Sequence, residues 1–217
     1  MPVRQVSNRG GNVIGKFPSI KMGRMIAFES LLERDFVYLL DYDPAVEWFE
    51  EQPLIIEYMS DDKVLSYTPD FHLIEGKHNV LVECKPDRFV DTEENRPKFA
   101  AARAWCAHQG WEFRIVTDQQ VRTGFRLQNV KLLTRYARQV VGPVMQGRIF
   151  VLLHDAKTQL TISGLAGEIA PDDLARGTAS ILHLAFHHEI CLSLDEAPIS
   201  QETLVQLTSQ TQQEDQK

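Results

Sequence analysis

A chain of 217 residues, 43% of them hydrophobic, holds enough apolar material for one main core and a small satellite domain. Its longest apolar run, Ile149 to Leu153, is far too short for a bilayer span, and residues 1 to 10 contain no apolar core of a secretory signal. Cys84, Cys106 and Cys191 are odd in number and contain no Cys-x-x-Cys pair, which argues against a disulfide framework and a structural zinc site and leads us to expect a reducing, cytoplasmic compartment.

The net charge of -7 hides a sorted pattern. Residues 1 to 24 carry five Arg/Lys and no acid, whereas residues 25 to 95 carry five basic against eighteen acidic side chains. Residues 96 to 148 reverse the sign with ten basic and two acidic, and residues 149 to 217 return to acid with three and ten. Two cationic stretches therefore flank a carboxylate block. Such a block needs compensation by water, Lys/Arg or a divalent cation, and the basic flanks could hold a polyanion against it.

In chain order, residues 1 to 24 lack a sustained period and are expected to form a flexible basic arm. Gly10-Gly-Asn-Val-Ile-Gly-Lys16-Phe17 imitates a phosphate-binding loop but has Phe17 where a magnesium-binding hydroxyl belongs. The apolar spacing from Met25 to Asp41 predicts a helix terminated by Asp43-Pro44. Three strand-like runs follow, Leu54 to Met59, Val64 through the Thr68-Pro69-Asp70 kink to Ile74, and Asn79 to Lys85, which together read as a β-meander. Pro97 and Gly110 bracket a second helix, Trp111 to Val116 is another strand, and a third helix spans about Gln128 to Gln139. The helical crossover before Trp111 predicts that the strands Asn79 to Lys85 and Trp111 to Val116 lie parallel. The fold class is therefore α/β, a mixed sheet in the order αβββαβ, with residues 25 to 141 as the main domain. Residues 142 to 206 read as a small helical, winged-helix-like module with helices at Thr161 to Glu168 and Arg176 to His188, and residues 207 to 217 as a disordered tail.

The chemistry concentrates in Tyr67-Thr-Pro-Asp70-Phe71 and Leu81-Val-Glu83-Cys84-Lys85-Pro86. Strand alternation puts Glu83 and Lys85 on one face and Cys84 on the other. A two-residue turn at Gly76-Lys77 pairs residue 75 with 78, and the same register sets Asp70 opposite Glu83. Opposed carboxylates destabilise a hairpin by up to roughly 1 kcal/mol unless a cation compensates them. An oxygen-ligated ion such as Mg2+ suits that pair, with Lys85 facing the same ion and its water or a phosphate. That is a kit for phosphodiester hydrolysis.

Pro69-Asp70 with Glu83-x-Lys85 in this strand order resembles the PD-(D/E)xK nuclease superfamily. The words Phe28-Glu-Ser-Leu-Leu-Glu33-Arg-Asp-Phe36, Asp43-Pro44, Glu51-Gln52-Pro53, Tyr67-Thr-Pro-Asp-Phe71, Glu83-Cys-Lys-Pro86 and Phe113-Arg-Ile-Val-Thr117 narrow the resemblance to TnsA, the endonuclease subunit of heteromeric cut-and-paste transposons. The resemblance covers about residues 17 to 140. It implies a restriction-endonuclease-like core and a Mg2+-dependent endonuclease, with Mn2+ as a substitute, that cuts the 5′ ends of a transposon. The implied partners are double-stranded DNA at the transposon ends, a TnsB-like transposase and a TnsC-like ATPase regulator, with no membrane, in the bacterial cytoplasm and on the nucleoid when DNA is bound.

Carried over by position, the implied catalytic set is Glu33, Asp70, Glu83 and Lys85, with the three acids as metal ligands. Glu29, one helical turn before Glu33, is kept as a support residue. Lys98, Arg103, Arg122, Arg126, Lys131 and Arg135 are the candidate DNA contacts. Trp105 and Trp111 read as core, and His72 and His78 as bystanders to the chemistry. The acidic C-terminal module suits protein contact better than a second contact with DNA. The competing readings are a stand-alone restriction or repair nuclease and a noncatalytic DNA-binding assembly subunit that keeps the nuclease fold.

Overall fold

The computed structural model describes residues 13 to 60 and 62 to 208, and no helix among them is long and apolar enough to cross a membrane. The chain divides into two compact units, residues 1 to 123 and 124 to 217.

The first unit opens with β1 (Gly15–Pro18) and β2 (Met25–Phe28), an antiparallel pair in which Gly15 faces Phe28. A Cβ at Gly15 would meet the Phe28 ring, so any larger residue there would force that ring to shift. The arm expected over residues 1 to 24 is thus ordered from Gly15, while residues 1 to 12 lie outside the described part. The helix expected from Met25 is corrected at its start. Met25-Ile-Ala-Phe28 alternates, with Ile26 and Phe28 buried, and this period of two makes it a strand.

Helix α1 (Leu31–Tyr42) begins only after Ser30, whose hydroxyl accepts from the Glu33 N–H as an N-cap. Its other end is tied down from the β1–β2 turn. The Asp41 carboxylate accepts from the Ser19 hydroxyl and from the Ile20 and Lys21 N–H groups, and the Lys21 ammonium donates to the carbonyls of Leu40, Asp43 and Val46. That ammonium meets the carbonyl-rich end of a helix, where a cation is favoured.

A four-stranded mixed sheet follows in the order β3 (Val46–Glu51), β6 (Phe71–Glu75), β7 (His78–Cys84), β8 (Glu112–Val116). The β3–β6 and β6–β7 pairs are antiparallel, and β7–β8 is parallel, as the helical crossover predicts. Helix α2 (Asn95–Gln109) makes that crossover and ends on Gly110 in the left-handed conformation. The β6–β7 turn has the expected register, Glu75 opposite His78 and Phe71 opposite Val82, with Gly76 at φ +60°. Phe49, Phe71, Leu73, Val80, Leu81 and Val82 are fully buried in the core.

The predicted meander divides in two. β4 (Ile56–Ser60) and β5 (Lys63–Tyr67) form their own two-stranded sheet, and Ile56 and Tyr67 pack with Leu81, Ala102 and Cys106. The chain changes sheet at Thr68-Pro69, where proline has no N–H to continue a ladder. Strand β3 has no counterpart among the predicted elements. Its sequence Val-Glu-Trp-Phe-Glu-Glu is acid-rich, and a register shift between Val46 and Trp48 breaks the alternation. The short helix α3 (Asp118–Arg122), closed by a capping box at Thr117 and Gln120, was also not predicted.

The second unit holds α4 (Arg126–Thr134), α5 (Pro143–Asp155), α6 (Ile162–Ile169) and α7 (Leu174–Phe186). An antiparallel sheet in the order β10 (Ile190–Leu192), β11 (Leu204–Leu207), β9 (Leu160–Thr161) completes a small winged-helix-like module. The third predicted helix is α4, shorter than expected, and it lies in this unit and not in the first. Asn129 explains the placement, because its amide donates to the Leu194 and Ala197 carbonyls at 2.8 Å and accepts from the Ile199 N–H at 2.8 Å. Pro143 opens α5 at its first position, where its missing N–H costs no helical hydrogen bond. Leu207, placed in the expected tail, ends β11, and residues 209 to 217 lie outside the described part.

Candidate active site

Three elements of the first unit aim polar side chains into one cleft of about 1010 Å³. Helix α1 supplies Glu33 from its first turn, the entry to β6 supplies Asp70, and the end of β7 supplies Glu83 and Lys85. The cleft is a product of the hairpin register, because Asp70 precedes β6 by one residue and its Oδ2 accepts from the Cys84 N–H at 2.7 Å. Alternation sends Glu83 and Lys85 the same way, and the Lys85 ammonium lies 2.9 Å from Glu83 Oε1. Glu83 Oε2 accepts from the Tyr67 hydroxyl at 2.6 Å.

The electrostatics are those of crowded acids. Burial raises the Asp70 pKa well above the usual aspartate range, and the Glu83 and Glu33 charges raise it further, against the opposing pull of the Cys84 N–H and Lys85. Burial likewise raises Glu33, with Glu29 and Glu83 adding to the shift and the Glu29 N–H and Ser30 opposing it. Burial alone would lower Lys85, but contact with Glu83 outweighs it and leaves the ammonium more firmly protonated than in water. Tyr67 is pushed upward by burial and by Glu83, so its phenol stays a donor. The Cys84 thiol is raised well above its ordinary range by burial and by Asp70, which removes it as a nucleophile.

Glu29 stands outside the helix, in front of the N-cap, and not one turn along its face as the sequence spacing suggested. Its N–H donates to Glu33 Oε2 at 2.7 Å, and its own carboxylate accepts from Gln52 Nε2 at 2.9 Å. It supports Glu33 through its backbone. Glu33 therefore has one oxygen committed to the helix start, and Asp70 Oδ1 accepts from no protein donor among the described residues.

Among the described residues no three His, Cys, Asp or Glu side chains stand in metal-binding geometry. The chemistry of the donor set nevertheless suits a hard divalent cation. The donors are carboxylate oxygens, and two of the three acids have raised pKa values that a positive ion would relieve. In the present arrangement Lys85 and Tyr67 engage both oxygens of Glu83.

The candidate DNA contacts separate. Lys98 and Arg122 line the cleft, Lys98 paired with Glu94 at 2.7 Å and Arg122 with Asp35 at 3.1 Å. Arg103 lies over the Phe113 ring and is not part of the cleft lining. Arg126, Lys131 and Arg135 belong to the second unit, where Arg126 pairs with Asp195 and the other two line a groove with Leu127, Leu132 and Ile199. His72 is buried and bonded to Asn79, stacked on Trp111 and edge-on to Trp48, so it belongs to the core. Tyr67 is the site residue that sequence reasoning missed. It stands in the quoted Tyr-Thr-Pro-Asp-Phe word, but its reach to Glu83 depends on the packing of β5 beside β7.

The mixed sheet flanked by helices, with acids and a lysine at the ends of its central strands, is a PD-(D/E)xK-like core, a fold that supports hydrolase chemistry in general. Residues 43 to 118 match the family model described as TnsA-like endonuclease N terminal. A TnsA-like N-terminal domain is thus present over that segment, which contains Asp70, Glu83 and Lys85 but not Glu33. No curated protein matches the chain.

Proposed function

We propose that the chain is a divalent-metal-dependent DNA endonuclease that cuts the 5′ ends of a transposon, acting with a TnsB-like transposase and a TnsC-like regulator. The observation that carries this reading is the shared cleft of Glu33, Asp70, Glu83 and Lys85, with Lys85 in contact with Glu83. Asp70 and Glu83, with Glu33 beside them, would hold Mg2+ or Mn2+. When bound, such an ion supplies Lewis-acid neutralisation of the phosphate and eases deprotonation of water.

The chain's own groups do the rest. Lys85, whose ammonium lies 2.9 Å from Glu83 Oε1, serves as a positive donor toward a phosphate oxygen. Tyr67 orients Glu83, and the Cys84 N–H orients Asp70. Lys98 and Arg122, at the cleft wall, suit contact with the DNA backbone. The acidic segment from residue 149 onward suits a protein partner.

A strand-resolved cleavage assay on transposon-end duplex, run with the partner transposase and with or without Mg2+, tests the proposal. The expected result is a nick at the 5′ end that requires both the metal and Asp70. A 5′ nick that persists in Asp70→Ala would remove the cleft from the chemistry.

A further inference from the structure

Gln52 lies outside the cleft lining, yet it touches the supports of two of the site's acids. Its N–H donates to the Asp70 carbonyl at 2.8 Å, which fixes the entry to β6. Its Nε2 donates to Glu29 Oε1 at 2.9 Å, and the Glu29 N–H in turn donates to Glu33 Oε2 at 2.7 Å. One residue thus spans from the strand acid to the helix acid.

Two unfavourable features coincide on it. The backbone of Gln52 is left-handed, at φ +48°, a conformation glycine adopts without steric cost. Its Oε1 is buried without a hydrogen-bond partner among the described residues, although the Nε2 side is anchored by a carboxylate and sets which way the amide faces. The preceding residue, Glu51, already locks the end of β3 through Arg24 at 2.7 Å and the Ala27 N–H, so the corner does not depend on the Gln52 side chain for anchorage. Strain and an unpaired polar atom at one residue, bonded to the segments that carry two acids, fit a group retained for the site and not for stability.

We infer that Gln52 is a positioning residue that sets the spacing of Glu33 and Asp70 for a divalent cation. The inference rests on the nuclease reading above. A neutral amide suits the task because it holds Glu29 without adding a further charge to the acids.

The test is Mn2+ binding to the full-length chain, measured by calorimetry and by the loss of the free-ion electron paramagnetic resonance signal, together with Tm. The variants are Gln52→Gly, Gln52→Asn and Asp70→Ala. Glycine removes both the strain and the bridge, while asparagine tolerates the left-handed backbone but is one methylene too short to reach Glu29. Both Gln52 variants are expected to fold with a Tm no lower than the wild type and to bind Mn2+ about tenfold more weakly, the order of loss typical of residues that orient metal ligands. Wild-type affinity in both, with binding lost in Asp70→Ala, overturns the role of Gln52 and leaves the site standing. Equal binding by wild type and Asp70→Ala, or none by wild type, overturns the metal reading and this inference with it. Loss of cooperative unfolding in both Gln52 variants would make the residue structural and also overturn it.

Discussion

The Lys85 ammonium rests 2.9 Å from Glu83 Oε1, two residues along the same strand face. This pairing keeps the lysine charged and aimed into the cleft, because the attraction of Glu83 outweighs the cost of half-burying the ammonium. Replacement of Lys85 by Met keeps much of the aliphatic packing and removes the charge. The expected outcome is a loss of 5′-strand cutting of about a hundredfold or more, with assembly on the partner transposase intact. Strand-resolved cleavage beside a gel-shift of the complex measures both.

Tyr67→Phe deletes the hydroxyl that donates to Glu83 Oε2. Packing against Leu81 and Ala102 is retained, since the ring stays. Cleavage should fall about tenfold, and stability by about 1 kcal/mol, read from single-turnover cleavage and urea unfolding. A variant that cuts at the wild-type rate would show that Glu83 needs no orienting partner.

The raised carboxyl of Asp70 fixes a direction of pH dependence. Because its pKa in the folded chain lies above the unfolded value of about 3.9, the folded state binds this proton more tightly. Its contribution to stability is complete below that unfolded value and is lost as the pH rises through the folded pKa. Glu33 is raised as well and acts in the same sense. In the absence of divalent ions, Tm should therefore decline from mildly acidic toward neutral pH on account of these two groups. Asp70→Asn, which keeps an oxygen to accept from the Cys84 N–H, should flatten the decline and raise Tm at neutral pH. Parallel thermal melts across pH with chelator present provide the check, and an unchanged slope in Asp70→Asn would contradict the assignment.

In the second unit, Asn129 makes three hydrogen bonds to the segment 194 to 199 from a buried position. Asn129→Ala leaves two carbonyls and one N–H without that partner, at a cost of about 2 kcal/mol or more. Limited proteolysis should then open the segment around Asp195 to Ile199 earlier than in the wild type. Equal protection in both proteins would mean that α4 is held by its apolar contacts alone.

Much of the nuclease core was legible in the residues themselves. Gly76-Lys77 set the β6–β7 register through the left-handed preference of glycine, and the length of the crossover between Cys84 and Glu112 required a parallel β7–β8 pair. Those two local rules were enough to bring Asp70 beside the end of β7, since strand pairing propagates a turn's register residue by residue. Tertiary structure decided what local patterns do not encode. Strand β3 is acid-rich, and Glu51 is buried there with Arg24 and the Ala27 N–H, both distant in sequence, as its partners. Glu29 follows helical spacing but stands before the helix, because Ser30 caps α1 at that point. The boundary between the units follows Asn129, whose partners lie some seventy residues on. Tyr67 reaches Glu83 and Gln52 reaches Glu29 the same way, through hydrogen bonds between segments that only packing brings together.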